Sequence, residues 1–345
     1  MAFLAVAIAC GAQDAPVIRL TGQLGTGFQD LLQLSGTSLS DAISLYDFAS
    51  GKPSRFRVEL QFAAPDGNWG ITTRLDSEVL SNGGLSATWN QALVWGKVLN
   101  GLIGAKAGLL DEEGFSFSWY PWGVENIWGG QYDGNLGVEV QLSPLSWLTV
   151  GYVLPVLDGT RWADTIDGSY LGAAITVPNA ARIVAGASLG LPYATTAWIG
   201  ADLMAVEGLV ARAAAQAINI GSTYSVWVEL YEEAGYPLAG ILLNVKGWEE
   251  VYGAPGSSVG WQVEPSVGYA FGPVTVSVVG DGGTLLAKDP NPAVGSLPLG
   301  YAVGLTASCA PVASSTIQVG ARYLVPDSSV QTSTLQTFVD FRWTY

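Results

Sequence analysis

The sequence contains no histidine, which removes Ser-His and Asp-His chemistry together with the commonest metal ligand. Carboxylate pairs remain, but Glu232 and Glu233 are chain neighbours, and on a strand neighbours face opposite sides. "GQLGTG" (Gly22 to Gly27) has the glycines of a nucleotide loop without a helix to follow, and "DTIDG" (Asp164 to Gly168) lacks the ligand spacing of a calcium loop. No catalytic residue, metal or cofactor is expected. What the chain offers instead is charge at regular spacing. Arg55 and Arg57 alternate with apolar residues in "RFRVELQF", and Arg19, Arg74, Lys97, Lys106, Arg182, Arg212, Lys246, Arg322 and Arg342 fall in similar stretches. Acidic residues gather between such stretches, in "DEEG" (Asp111, Glu112, Glu113) and at Glu125, Asp158, Asp164, Asp167, Glu249 and Glu250.

The elements that position these charges are strands. In "RFRVELQF", Phe56, Val58, Leu60 and Phe62 oppose Arg55, Arg57, Glu59 and Gln61, and in "LGVEVQL", Leu136, Val138, Val140 and Leu142 oppose Gly137, Glu139 and Gln141. "WQVEPSVGYAF" alternates likewise, with a bulge expected at Pro265. Period-two patterning of this kind marks strands with one apolar and one polar face. It recurs through the chain and predicts about 16 to 18 strands, the count turning on whether strands near Pro192 and Ile220 merge. Links after even-numbered strands are short ("APDG", "NG", "SPLS", "PN", "VEG", "EAGY", "GP"), whereas many of the others are long. No helix–strand alternation or fixed repeat is present, so a single all-β domain is expected.

Composition separates a soluble sandwich from a membrane barrel. Of 345 residues, 49% are apolar and 12% charged, about half the usual quarter. No run reaches the ~20 apolar residues of a spanning helix. If a bilayer is the solvent, only a closed β-barrel remains, because every backbone polar group in lipid must be paired internally. Charges facing hydrocarbon cost several kcal/mol, so most strand arginines and lysines are expected to face a lumen. Trp69, Trp89, Trp95, Tyr152, Tyr170, Tyr224, Trp227, Tyr269, Tyr301, Trp343 and Tyr345 fall mostly near predicted strand ends, as interfacial aromatic girdles do. The net charge of −15 argues against nucleic acid as a partner.

The start, "MAFLAVAIACGAQDAP", reads as the apolar core of a secretory signal, so residues 1–12 are expected to be a signal remnant and 13–345 the barrel. Lipidation of Cys10 is the alternative there; Cys309 has no partner and is expected to be inert. The chain closes on "FVDFRWTY", with Val339, Phe341, Trp343 and Tyr345 on one face. With its signal-like start and its parity of short turns and long loops, the sequence resembles the outer-membrane porins of diderm bacteria. That resemblance implies a single antiparallel transmembrane β-barrel in the outer membrane, with short periplasmic turns and long extracellular loops. It also implies that Val339, Phe341, Trp343 and Tyr345 form the signal read by the barrel-assembly machinery.

In porins the loop after the fifth strand folds into the barrel and narrows it. Carried over, this would set Asp111, Glu112, Glu113 and Glu125 across a constriction from the basic wall of Arg55, Arg57, Arg74, Lys106, Arg182, Arg212 and Arg322. Such opposed charges create a transverse field that filters solutes by size and charge; the alternative is a solvated acidic loop. The expected function is passive diffusion of ions and small polar solutes, without enzymatic activity. A substrate-specific transporter or a surface adhesin on the same barrel is the alternative. The flat outer face of Leu209, Ala211, Ala213, Ala215 and Ala217 would suit a homotrimer.

Overall fold

A computed structural model of the chain describes residues 16–35, 38–45, 55–79, 84–112, 115, 117–119, 127–129, 132–156, 169–189, 195–221, 227–252, 260–283, 300–326 and 333–344. The expected signal and Cys10 lie outside them. Among the described residues there are strands and no helix: β1 (Val17–Ser35), β2 (Ser38–Leu45), β3 (Arg55–Ala63), β4 (Trp69–Val79), β5 (Leu85–Val98), β6 (Ile103–Glu112), β7 (Phe117–Trp119), β8 (Ile127–Gly129), β9 (Tyr132–Leu145), β10 (Leu148–Pro155), β11 (Ser169–Val177), β12 (Ala181–Leu189), β13 (Thr195–Leu203), β14 (Val210–Ile220), β15 (Trp227–Leu238), β16 (Ile241–Tyr252), β17 (Trp261–Phe271), β18 (Val274–Gly283), β19 (Gly300–Cys309), β20 (Ser315–Pro326) and β21 (Ser333–Thr344).

All but β7 and β8 belong to one antiparallel sheet, in which successive strands pair with each other except that β3, like β2, pairs with β1. The sheet closes where β1 pairs with β21, from Gln23 opposite Thr344 to Leu34 opposite Ser333. β2 and β3 share one place in the circle: β2 lies on the Phe28–Ser35 half of β1 and β3 on the Val17–Gly25 half. The result is a closed barrel of 18 strands. The strands near Pro192 and Ile220 do not merge, since β12 and β13, and β14 and β15, stay separate and pair along their lengths.

Burial is inverted relative to a water-soluble sheet. Val339 is 51% exposed while Asp340, its neighbour, is 2% exposed; Val138 and Val140 are exposed while Glu139 between them is fully buried. The apolar face predicted from each strand therefore points outward and the polar face inward. In water this would leave a barrel-wide apolar surface uncovered, but in a bilayer it is the stable arrangement. In the closing strand Trp343, Phe341 and Val339 lie opposite Leu24, Thr26 and Phe28 of β1 on that outer face. Trp69, Trp89, Tyr152, Tyr269, Tyr301 and Trp343 are exposed on it too. Trp95 and Tyr170, counted with the girdle from sequence, instead turn into the barrel and pack among its buried interior residues.

Three local expectations change. "EAGY" is not a turn: β15 continues to Leu238, and the turn is at Ala239 and Gly240, whose φ angles of 50° and 83° suit a tight hairpin. Gly235 within "EAGY" is required by close approach, since a Cβ there would meet Asn244 and the Leu243 carbonyl. At Pro265 the ladder to β18 lapses but resumes in the same register, Val263 opposite Gly282 and Ser266 opposite Val279, so no bulge forms. A bulge sits instead at Asn90, where the pairing of β4 with β5 shifts between Arg74 and Leu75 and both Asn90 and Gln91 come to lie on the inner side.

The outer face yields a direct test. Leu305, 54% exposed in the middle of β19, should tolerate Leu305→Arg at a cost of about 2–4 kcal/mol if it meets mid-bilayer lipid, read as a lowered denaturant midpoint for the protein folded in vesicles. A change close to zero would mean that this face meets water.

Candidate functional site: the lumen wall and the segment anchored to it

The inner wall carries charged side chains that alternate in sign from strand to strand. Arg182 on β12 lies opposite Asp202 on β13, which lies opposite Arg212 on β14; Arg212 lies opposite Glu233 on β15, Glu233 opposite Lys246 on β16, and Lys246 opposite Glu264 on β17. Arg212 reaches both neighbours, its Nε 2.8 Å from Asp202 Oδ1 and its Nη1 3.1 Å from Glu233 Oε2. Lys246 Nζ lies 3.2 Å from Glu264 Oε1. Further round, Arg322 Nη2 donates to Asp281 Oδ2 at 2.8 Å, and Gln262 Nε2 donates to Oδ1 at 2.9 Å. On the other side of the barrel Arg57 grips Asp76 through two parallel hydrogen bonds of 2.8 Å, and Lys106 Nζ is 3.0 Å from Glu139 Oε2.

Most of these pairs form because inward charges on adjacent strands stand about 5 Å apart, while outward placement would strand them in hydrocarbon; Arg322 on β20 instead reaches Asp281 on β18 over the small Ala302 and Gly304 of β19. Amides and hydroxyls add to the wall's hydrogen bonding: Asn244 Nδ2 and Tyr231 Oη donate to Glu233, and Asn90 Nδ2 donates to Asp76.

The segment after β6 enters the barrel. Phe115 is 1% exposed, and its ring lies against Gly151 of β10 and Gly172 of β11, where any Cβ would overlap it. Trp198 Nε1 donates to the Phe115 carbonyl at 2.9 Å. Tyr170 stands between them, its ring centroid 6.3 Å from that of Phe115 and 5.0 Å from that of Trp198. β7 and β8 form a small hairpin beyond this anchor, and β8 packs against β13. Two inward glycines side by side thus make a notch, and an aromatic ring fills it. On the adjoining stretch of wall, reaching Gln141 beside Gly151, a recess of about 310 Å³ is lined by Gln61, Thr72, Gln91, Leu93, Trp95, Lys97, Lys106 and Gln141.

Solved structures resemble this architecture. OpdL of Pseudomonas aeruginosa matches with a TM-score of 0.60 at 10% identity, over 95% of this chain and 98% of that one. OccK9 (OpdG) of the same organism matches with 0.60 at 9%, again over 95% and 98%. OpdK, solved with vanillate, matches with 0.59 at 10% and the same coverage. These are outer-membrane porins. The chain has the porin barrel fold. No protein-family model and no curated protein matches its sequence, so the likeness rests on shape, and at these identities it speaks for the fold alone.

Of the basic residues expected on the wall of this barrel, Arg57, Arg74, Lys106, Arg182, Arg212 and Arg322 stand on its inner face. The backbone of Arg55 pairs with Glu78, and its side chain is outside the described set. Asp111 and Glu112 end β6, with side chains outside that set, as are Glu113 and Glu125 altogether. Val339, Phe341 and Trp343 lie on the outer face of β21, and Tyr345 is outside the described residues.

What sequence reasoning missed is the set of carboxylates that meets the basic residues within the wall: Asp76, Glu139, Asp202, Glu233, Glu264 and Asp281. Their inward parity was readable; which cation each opposes depends on register. Also missed were Phe115 and its anchor, whose one signal was an aromatic-rich link.

Replacing the notch glycine should release the segment. Gly172→Leu is expected to displace Phe115 and expose bonds within residues 111–132 to protease in detergent-solubilised barrel, while heat-modifiable gel migration shows the barrel itself folded. Trp198→Phe, which leaves the Phe115 carbonyl without its donor at a cost of about 1–3 kcal/mol, should act in the same direction more weakly. A segment cleaved no faster in either variant than in the parent would show that the notch does not hold it.

Proposed function

We propose that the protein is an outer-membrane channel through which ions and small polar solutes diffuse passively. The observation that carries this reading is the pairing of a closed, outwardly apolar barrel with an inward wall of charges and amides. Barrels of 16 to 18 strands are wide enough to leave an aqueous path, and the fold likeness to outer-membrane porins agrees with that role and place. Selection would occur at the level of Phe115, where the anchored segment narrows the path. There Asp111, Glu112, Glu113 and Glu125 would add negative charge facing the basic wall of Arg55, Arg57, Arg74, Lys106, Arg182, Arg212 and Arg322. Val339, Phe341, Trp343 and Tyr345 would form the assembly signal. The alanine face on β14 supports packing against further copies, a trimer being the simplest closed ring of the expected kind. A second reading, a channel selective for one class of solute, draws on the wall recess and on the likeness to OpdK, whose structure was solved with vanillate.

Single-channel recording tests the main reading. Purified protein in a planar bilayer should give stepwise ohmic openings; silence from demonstrably folded barrel would replace the channel with an adhesin. Neutralising the segment through Asp111→Asn, Glu112→Gln, Glu113→Gln and Glu125→Gln together should change the reversal potential in a salt gradient while openings persist. An unchanged potential would return that segment to the status of a solvated loop.

A further inference from the structure

We propose that the channel prefers cations, because cross-strand carboxylates cancel the basic wall that would otherwise attract anions. The inference rests on the channel reading and specifies which ions the same wall admits. The series Arg182, Asp202, Arg212, Glu233, Lys246 and Glu264 alternates in sign over six consecutive strands, each residue directly opposite the next. Arg322 has Asp281, Lys106 has Glu139, and Arg57 and Arg74 have Asp76 and Glu59. Carboxylates on these rungs are as numerous as cations.

Strands stand about 4.8 Å apart, so the field of such an alternating row fades within roughly that distance of the wall. A passing ion meets local dipoles and almost no net charge. The chain's net charge of −15 therefore resides away from these rungs. Part of it lies in the turn between β3 and β4, where the Asp66 carboxylate accepts the Asn68 N–H and side-chain amide at 3.0 Å each and is held below the usual carboxylate pKa. Another part lies at Glu207, in the turn between β13 and β14. Uncompensated negative charge around a pore with low-dielectric walls enriches cations inside it. The wall arginines do not reverse this, since their charge is met by carboxylates within the wall. Arg212 shows the balance most directly: its side chain is 40% exposed and has an acidic partner on each side.

The test is the zero-current potential across a bilayer holding the channel in a tenfold KCl gradient. The dilute side should become positive, with a potassium-to-chloride permeability ratio above one. That ratio should fall as both salt concentrations rise from about 0.1 M to 1 M and the Debye length shrinks from about 10 Å to 3 Å. Asp202→Asn with Glu233→Gln uncovers Arg212 and should lower the ratio; Arg212→Gln leaves both carboxylates and should raise it. Heat-modifiable migration checks that each variant folds, and if the double variant does not, Arg212→Gln alone decides. A negative dilute side in the parent protein, or a ratio indifferent to Arg212→Gln, overturns the proposal while leaving the channel standing. A folded barrel that never conducts removes the channel reading and this one with it.

Discussion

No backbone N–H or C=O can be left unpaired in hydrocarbon, and in this chain the pairing of β1 with β21 meets that demand. Without it β1 and β21 would be two long open edges; with it they pair with each other from Gln23 to Leu34. The aromatic row at the end of the chain follows from the same constraint. Val339, Phe341 and Trp343 belong to the strand that completes the barrel, and their face is the one turned outward beside Leu24 and Phe28. In water such a terminal strand would be a liability, whereas in lipid it is part of the continuous apolar belt.

Closure also explains the interior. Once the apolar members of each strand are committed to lipid, the alternate members have no place except the lumen, charged or not. Adjacent strands then bring charges to within hydrogen-bonding reach, as with Arg57 and Asp76, and long side chains reach one strand further where the strand between carries only small residues, as Arg322 does to Asp281 over Ala302 and Gly304 of β19. Breaking one partner of so deeply buried a pair as Arg322 with Asp281 costs about 3–5 kcal/mol in general. The pairs hold side chains in fixed positions without making the barrel wall strongly charged. Small residues have a matching role. Gly151 and Gly172 leave the notch for Phe115, and Gly70 leaves room for the Trp95 ring at the recess. Among the described residues, the segment entering the lumen is thus held by shape and by one indole hydrogen bond.

Much of this was legible along the chain because a strand's side-chain period is two, so parity alone assigns each residue to a face. "RFRVELQF" and "LGVEVQL" face as their alternation predicts, and the scarcity of charge pointed to a surface not covered by water. Parity fails where the backbone departs from period two. At Asn90 the bulge places two successive residues on the inner side. Composition fails where a glycine serves close packing, as at Gly235 in a segment that looks like a turn. Aromatics near strand ends look alike whether they face lipid or lumen, so Trp95 and Tyr170 resemble girdle residues in sequence although they turn inward.

The sequence by itself determined the all-β class, the outward apolar and inward polar faces, and the absence of histidine chemistry, because each depends on residue type and a period of two. Only the tertiary structure decided that the strands close into eighteen, that Asp202 and Glu233 flank Arg212, and that Phe115 finds Gly151, Gly172 and Trp198. Those outcomes depend on register and on contacts between residues far apart in the chain, and a slip of one residue would alter every pair while leaving the local pattern of each strand as it is.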